Sequence, residues 1–95
     1  MRWLEFGIFT PLMRNHSAAG TRQQEVYQFE KTDGFRHVIR LRYRLIPYLY
    51  SEYIKAALRD EMMFRPLSFD YPEDSYASQV EDQLLLGNEL MLAPV

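Results

Sequence analysis

The chain has no cysteine among its 95 residues. That excludes a disulfide framework and any thiolate metal site, and it leaves the redox compartment unmarked. Glycine is scarce, at four residues, and histidine scarcer, at two. No Gly-rich phosphate loop, no His-x-x-x-His or other metal spacing and no Gly-x-Ser-x-Gly elbow can be traced. No metal or cofactor is therefore expected. The formal charge is only -2, so no basic field draws the chain to nucleic acid or to anionic lipid. No apolar run approaches the roughly 18 residues of a membrane span. The N-terminal MRWLEFGIFT lacks the apolar core of a secretory signal because Glu5 interrupts it, which leans toward a cytoplasmic location.

What is present is apolar and aromatic: 47% and 15% of the residues, enough for a core and too much for a disordered chain. The length allows one small domain. Residues 2 to 9 read as a short helix ended at Gly7 or Thr10, and Pro11 blocks its continuation. Leu12 and Met13 suit a short buried strand. Residues 15 to 32 make a long polar connection, of the kind that is usually functional or disordered.

Asp33, as an N-cap, opens the clearest element. From Phe35 to Leu58 apolar residues recur at three- and four-residue steps, which predicts a long helix over about 33–58. Pro47 lies inside it and predicts a kink or a break. Met63 to Tyr71 alternates as a strand after Pro66, and Val80 to Leu86 reads as a short helix capped by Ser78 and stopped by Gly87-Asn88. Leu90 to Val95 is an apolar run of buried-strand type. The order is that of an α/β protein, helix-rich with two or three short strands, too few to close a sheet.

Candidate chemistry is thin. His16, at a strand end, could donate to a hydroxyl or act as acid or base; a histidine satisfied by loop backbone is the alternative. Glu25 could be a general base; a loop glutamate that is solvated, or paired locally with Arg22, is the alternative. Asp70, Asp74 and Asp82 could supply paired carboxylates, but turn and solvated-face roles fit their positions as well. Arg40, Arg42 and Arg44 cannot share one helical face, since two-residue steps rotate by about 200°. Tyr43, Tyr48, Tyr50 and Tyr53 could stack on sugars, or pack with their hydroxyls reaching a partner. No self-sufficient catalytic constellation emerges from spacing.

Taken together, however, the stretches resemble one family. Arg2-Trp3, Phe6-Gly7, Phe9-Thr10-Pro11 and Arg14-Asn15-His16 are similar to R-W-x-Q-x-G-x-F-x-P-x-x-R-x-H of the glycoside hydrolase family 31 α-glucosidases and α-xylosidases, with Glu5 in place of the usual Gln. Gly20-Thr21 and Gln24-Glu25 resemble its G-T-x-x-Q-E-P-W run, with Val26-Tyr27 replacing Pro-Trp. LRYRLIPYLY, residues 41 to 50, resembles LRYRLLPYLY. Met63 to Pro66 through Phe69, and Asp82-Gln83 with Leu86-Gly87 and Leu90 to Val95, resemble its later M-x-R-P-L-F and D-Q-x-x-L-G-x-x-L-L-V-A-P-V segments.

The resemblance implies a fragment of a (β/α)8 TIM barrel: residues 1–95 as one segment from the C-terminal part of the catalytic barrel, with 88–95 leading into a C-terminal β domain. PLMRNH would be a late barrel strand with His16 at its C-terminal end, where barrel active sites lie. The implied activity is retaining hydrolysis of terminal α-linked sugars from oligosaccharides, by one nucleophilic Asp and one acid/base Asp. Neither aspartate segment is present, so this chain alone is expected to be inactive. His16 is implied to bind hydroxyls of the sugar at the cleavage point, while Arg14 and Glu25 support its loop. The rival is a freestanding carbohydrate-binding or protein-interaction module without catalysis. A fragment would also expose strand edges and apolar helix surface, so self-association is expected.

Overall fold

The computed structural model describes residues 2–30 and 32–94. The chain divides into two compact units, Met1–Ile46 and Pro47–Val95. Among the described residues no helix is long and apolar enough to cross a membrane.

The first unit begins with α1, Arg2–Gly7. Its helical bonding runs on through Ile8 N–H to Leu4 O (3.0 Å) and then tightens, with Phe9 N–H reaching Phe6 O and Thr10 N–H reaching Gly7 O, both at 3.1 Å. The Thr10 hydroxyl donates to Gly7 O at 2.7 Å and closes the helix end before Pro11. Ile8, just past α1, is almost fully buried; Val38 on α2 (Thr32–Arg59) is the other buried apolar residue among those described in this unit. Between the two helices the described residues carry bends, a turn at Ala18–Thr21 and a single 3-10 turn, Val26–Gln28, with no strand.

PLM does not form the strand expected of it. It has no ladder partner among the described residues, and Leu12 is 74% exposed. A strand is defined by its neighbour, and the chain supplies none here.

The long helix is present and continuous. It contains Pro47 without breaking, and its bounds, Thr32–Arg59, extend the expected range by one residue at each end. Asp33 is not its cap: it already lies in the first turn, where its carboxylate takes the Arg36 guanidinium at 3.0 Å and offsets the positive helix end. Val38, Arg42, Leu45, Leu49 and Glu52 step along one side of α2, and all five are buried or half-buried. The helix stops at Asp60, which takes φ +55°, while Glu61 N–H returns to Ala56 O at 3.1 Å. This is the six-to-one closure of a Schellman end, with aspartate where glycine is usual.

The second unit is built on a three-stranded antiparallel sheet in the order β1 (Phe64–Pro66), β2 (Leu84–Leu86), β3 (Leu90–Leu92). Phe64 pairs Leu86, and Leu86 in turn pairs Leu90. Two expectations fail here. The strand of 63–71 ends at Pro66, and residues Leu67–Asp70 turn into α3. Arg65 is the physical reason, since its Nε and Nη2 grip both oxygens of Asp70 at 2.8 and 2.7 Å and fold the segment back. Residues 80–86 are not a helix but a loop and β2. The Ser78 hydroxyl donates to Ser75 O instead of capping, and pairing on both sides takes Leu84–Leu86 into the sheet.

Leu49, Ala77, Leu86 and Leu92 form the buried apolar set of this unit. Polar groups close it. The Tyr48 hydroxyl donates to Leu86 O at 2.7 Å and accepts from Glu89 N–H at 3.1 Å, and Arg65 Nη2 donates to Gly87 O at 3.1 Å. Gly87, with φ +59°, makes the turn into β3, and a Cβ there would stand 2.5 Å from both Tyr48 Oη and Glu52 Cγ. Only glycine fits. Glu52 is itself buried and is ion-paired to Lys55.

Candidate functional site

The site expected at the end of PLMRNH lies wholly in the first unit. Arg42 fixes where the segment begins. From α2 its Nη1 donates to Ile8 O and to Thr10 O (2.8 Å), and its Nη2 to Pro11 O (3.3 Å). Three backbone carbonyls that the end of α1 and Pro11 leave without helical partners are gathered by one guanidinium. Arg40 and Arg44, its neighbours in the alternation, are exposed.

Beyond a bend at Pro11-Leu12 the backbone runs without regular secondary structure through Arg14-Asn15-His16. Asn15 Nδ2 donates to Gln24 O at 3.1 Å, clasping the two sides of a loop across nine residues. The loop tip is a turn in which Thr21 N–H and Oγ1 both donate to Ala18 O, at 3.2 and 2.7 Å. Gly20, third in that turn, has φ +79°, as a type II turn requires.

His16 and Arg14 are brought together, with Arg14 Nη2 2.6 Å from His16 Nδ1. Both side chains are exposed. Glu25 stands apart from them. Its Oε2 accepts from Gln28 Nε2 at 2.8 Å, within the 3-10 turn that follows it, so its partner is Gln28 and not Arg22. Two open hollows of about 360 and 370 Å³ share Met13, Arg14, Asn15, Leu4 and Val26 in their walls; the first also takes in Ile39, Arg42 and Tyr43 among others, the second Trp3, Leu12 and Phe35 among others. His16 lines neither.

The candidate carboxylates do not converge. Asp70 is held by Arg65, whose hydrogen bond and charge pull its carboxyl below the usual carboxylate range against the opposing effect of partial desolvation. Asp74 Oδ1 accepts from Tyr76 N–H at 2.8 Å, an Asx turn. Asp82 is exposed. Among the described residues there is no group of three side chains fit to hold a metal. Of the tyrosines, Tyr48 reaches partners with its hydroxyl, whereas Tyr43, Tyr50 and Tyr53 are exposed. The chain thus provides a clasped loop carrying one hydrogen-bonding imidazole. Among the described residues no acid/base pair stands around it.

Sequence reasoning missed Asn15 and Arg42. Nothing in the spacing links Asn15 to Gln24. Arg42 did leave a signal, because it falls in step with Val38, Leu45 and Leu49 on the buried side of α2.

Residues 1–52 match the model of the glycosyl hydrolases family 31 TIM-barrel domain, and residues 60–95 that of the glycosyl hydrolase family 31 C-terminal domain. The chain is 42% identical to the lysosomal alpha-glucosidase of Bos taurus, over all of this chain and 10% of that protein. It superimposes on a GH31 dextranase of Flavobacterium johnsoniae, solved with isomaltotriose, with a TM-score of 0.87 and 38% identity over 99% of this chain and 12% of that one. The glucosidase II alpha subunit gives a TM-score of 0.89 with 31% identity, over 99% and 10%. The chain spans about a tenth of the length of the curated relatives it matches.

Proposed function

Because the chain belongs to glycosyl hydrolase family 31, we propose that it is one corner of the sugar site of a retaining α-glucosidase-like enzyme. His16 contacts hydroxyls of the sugar at the cleavage point, and both catalytic aspartates lie on an N-terminal part of the parent. One observation carries this reading. The loop with the family-like Arg14-Asn15-His16 is anchored at Pro11 by Arg42 and clasped at Gln24 by Asn15, yet no carboxylate pair accompanies it. Contacts of an ordered imidazole with ring hydroxyls can strengthen as charge develops on the sugar, which is how such a residue assists the rate without reacting. Arg14 and Glu25 act through the loop, the first on the His16 ring and the second on the following turn. An α-linked oligosaccharide is the substrate of the parent, an assignment consistent with the isomaltotriose bound in the Flavobacterium dextranase.

Residues 1–95 form one segment from the end of the barrel, with 88–95 passing into a C-terminal β domain. The match of residues 60–95 to the family's C-terminal domain supports such a passage within this chain. The coding sequence immediately upstream tests the parentage. Two aspartate segments in the family's order support it, and an open frame without them would favour a freestanding sugar-binding or interaction module.

The isolated chain self-associates. Trp3 (87% exposed), Leu58 and Tyr76 (both 80%) lie among more than a dozen large apolar side chains open to solvent. Sedimentation should therefore show species larger than a monomer, and a monodisperse, cooperatively melting monomer would contradict this.

A further inference from the structure

The three residues of Arg14-Asn15-His16 have different tasks. Asn15, between the other two, ties the backbone to Gln24, and the Arg14 and His16 side chains meet beside it. The Arg14 guanidinium therefore meets the His16 ring from an anchored position, 2.6 Å from Nδ1.

We propose that Arg14 is a positioning residue that locks His16 in the tautomer bearing its proton on Nε2, so that His16 meets its ligand as a hydrogen-bond donor and not as a base. The inference rests on the sugar-contact reading of His16 given above. A guanidinium has five N–H donors and no acceptor, so at this distance Nη2 donates and Nδ1 must offer its lone pair. A neutral imidazole carries one N–H, which is then on Nε2.

An outward Nε2–H has no lone pair with which to remove a proton. It can donate to an oxygen, and a sugar hydroxyl oxygen suits it. Glu25, the other titratable group suggested for this loop, is occupied by Gln28 and does not approach the ring. His16 thus serves recognition, and proton transfer is left to other groups.

The test is a long-range proton–nitrogen correlation spectrum of the 15N-labelled chain, taken where the histidine rings are neutral, with His37 as the internal reference. His16 should show one form, with Nδ1 unprotonated and Nε2 protonated. Arg14→Met should raise the Nδ1–H form from below detection to a readable fraction, with the Asn15 side-chain amide signals unmoved. Arg14→Lys, which keeps a charged donor, should restore most of the single form. A wild-type ring protonated on Nδ1, or an Arg14→Met ring identical to wild type, would overturn the proposal. A parent without a sugar site would instead sink the reading beneath it and leave the tautomer result standing.

Discussion

The two units are held by different means. Pro47–Val95 rests on paired strands, four buried apolar residues and a polar network in which Tyr48 and Arg65 each serve backbone groups around Gly87. Among its described apolar residues Met1–Ile46 buries Ile8 and Val38 alone, and it depends on point anchors, Arg42 at one end of the loop and Asn15 along it. Burial is cooperative and spread over many contacts, whereas an anchor is local. The unit carrying the candidate site is the less buried of the two. A loop set by a few directional bonds can present a side chain to a ligand, which a packed strand cannot do without exposing its core.

This contrast can be broken first in the second unit. Gly87→Ala forces a side chain onto Tyr48 and Glu52 and places alanine at φ +59°. Overpacking and a left-handed backbone together should cost about 2–4 kcal/mol. Urea unfolding followed through the β-sheet signal would read it, and a loss below about 1 kcal/mol would mean that the turn region gives way easily.

The smaller effect belongs to the first unit. Arg42→Met keeps much of the side-chain volume but removes the donors from Ile8, Thr10 and Pro11. About 2 kcal/mol of local protection should vanish. Proteolytic nicking within residues 8–16 should then quicken, while exchange at the Gly87 amide, which donates to Met63 O, stays as it was. Equal loss at both places would show that the two units do not open separately.

Much of this architecture was legible in the sequence, for unequal reasons. The long helix was, because three- and four-residue steps persist over seven turns and outweigh one proline. The apolar run 90–95 was found in part, as β3 over Leu90–Leu92, with Val95 outside the described residues, although its partners were not foreseen. Helix and strand were exchanged at 80–86, where a capping pattern signalled helix but pairing on both sides decided for strand. The Arg65–Asp70 fork, which ends the preceding strand, is a contact five residues apart that periodicity does not encode. At the site, likeness to the family singled out His16, and geometry added what likeness could not: a ring nitrogen already engaged by Arg14, and a loop held by Asn15 and Arg42.

The central claim is that this loop is a corner of a glycosidase site whose reacting groups lie elsewhere. Incubating the purified chain with a chromogenic α-glucoside tests it most directly. The expected result is no release of the chromophore above background. Turnover that copurifies with the chain and is abolished by His16→Ala would contradict the account.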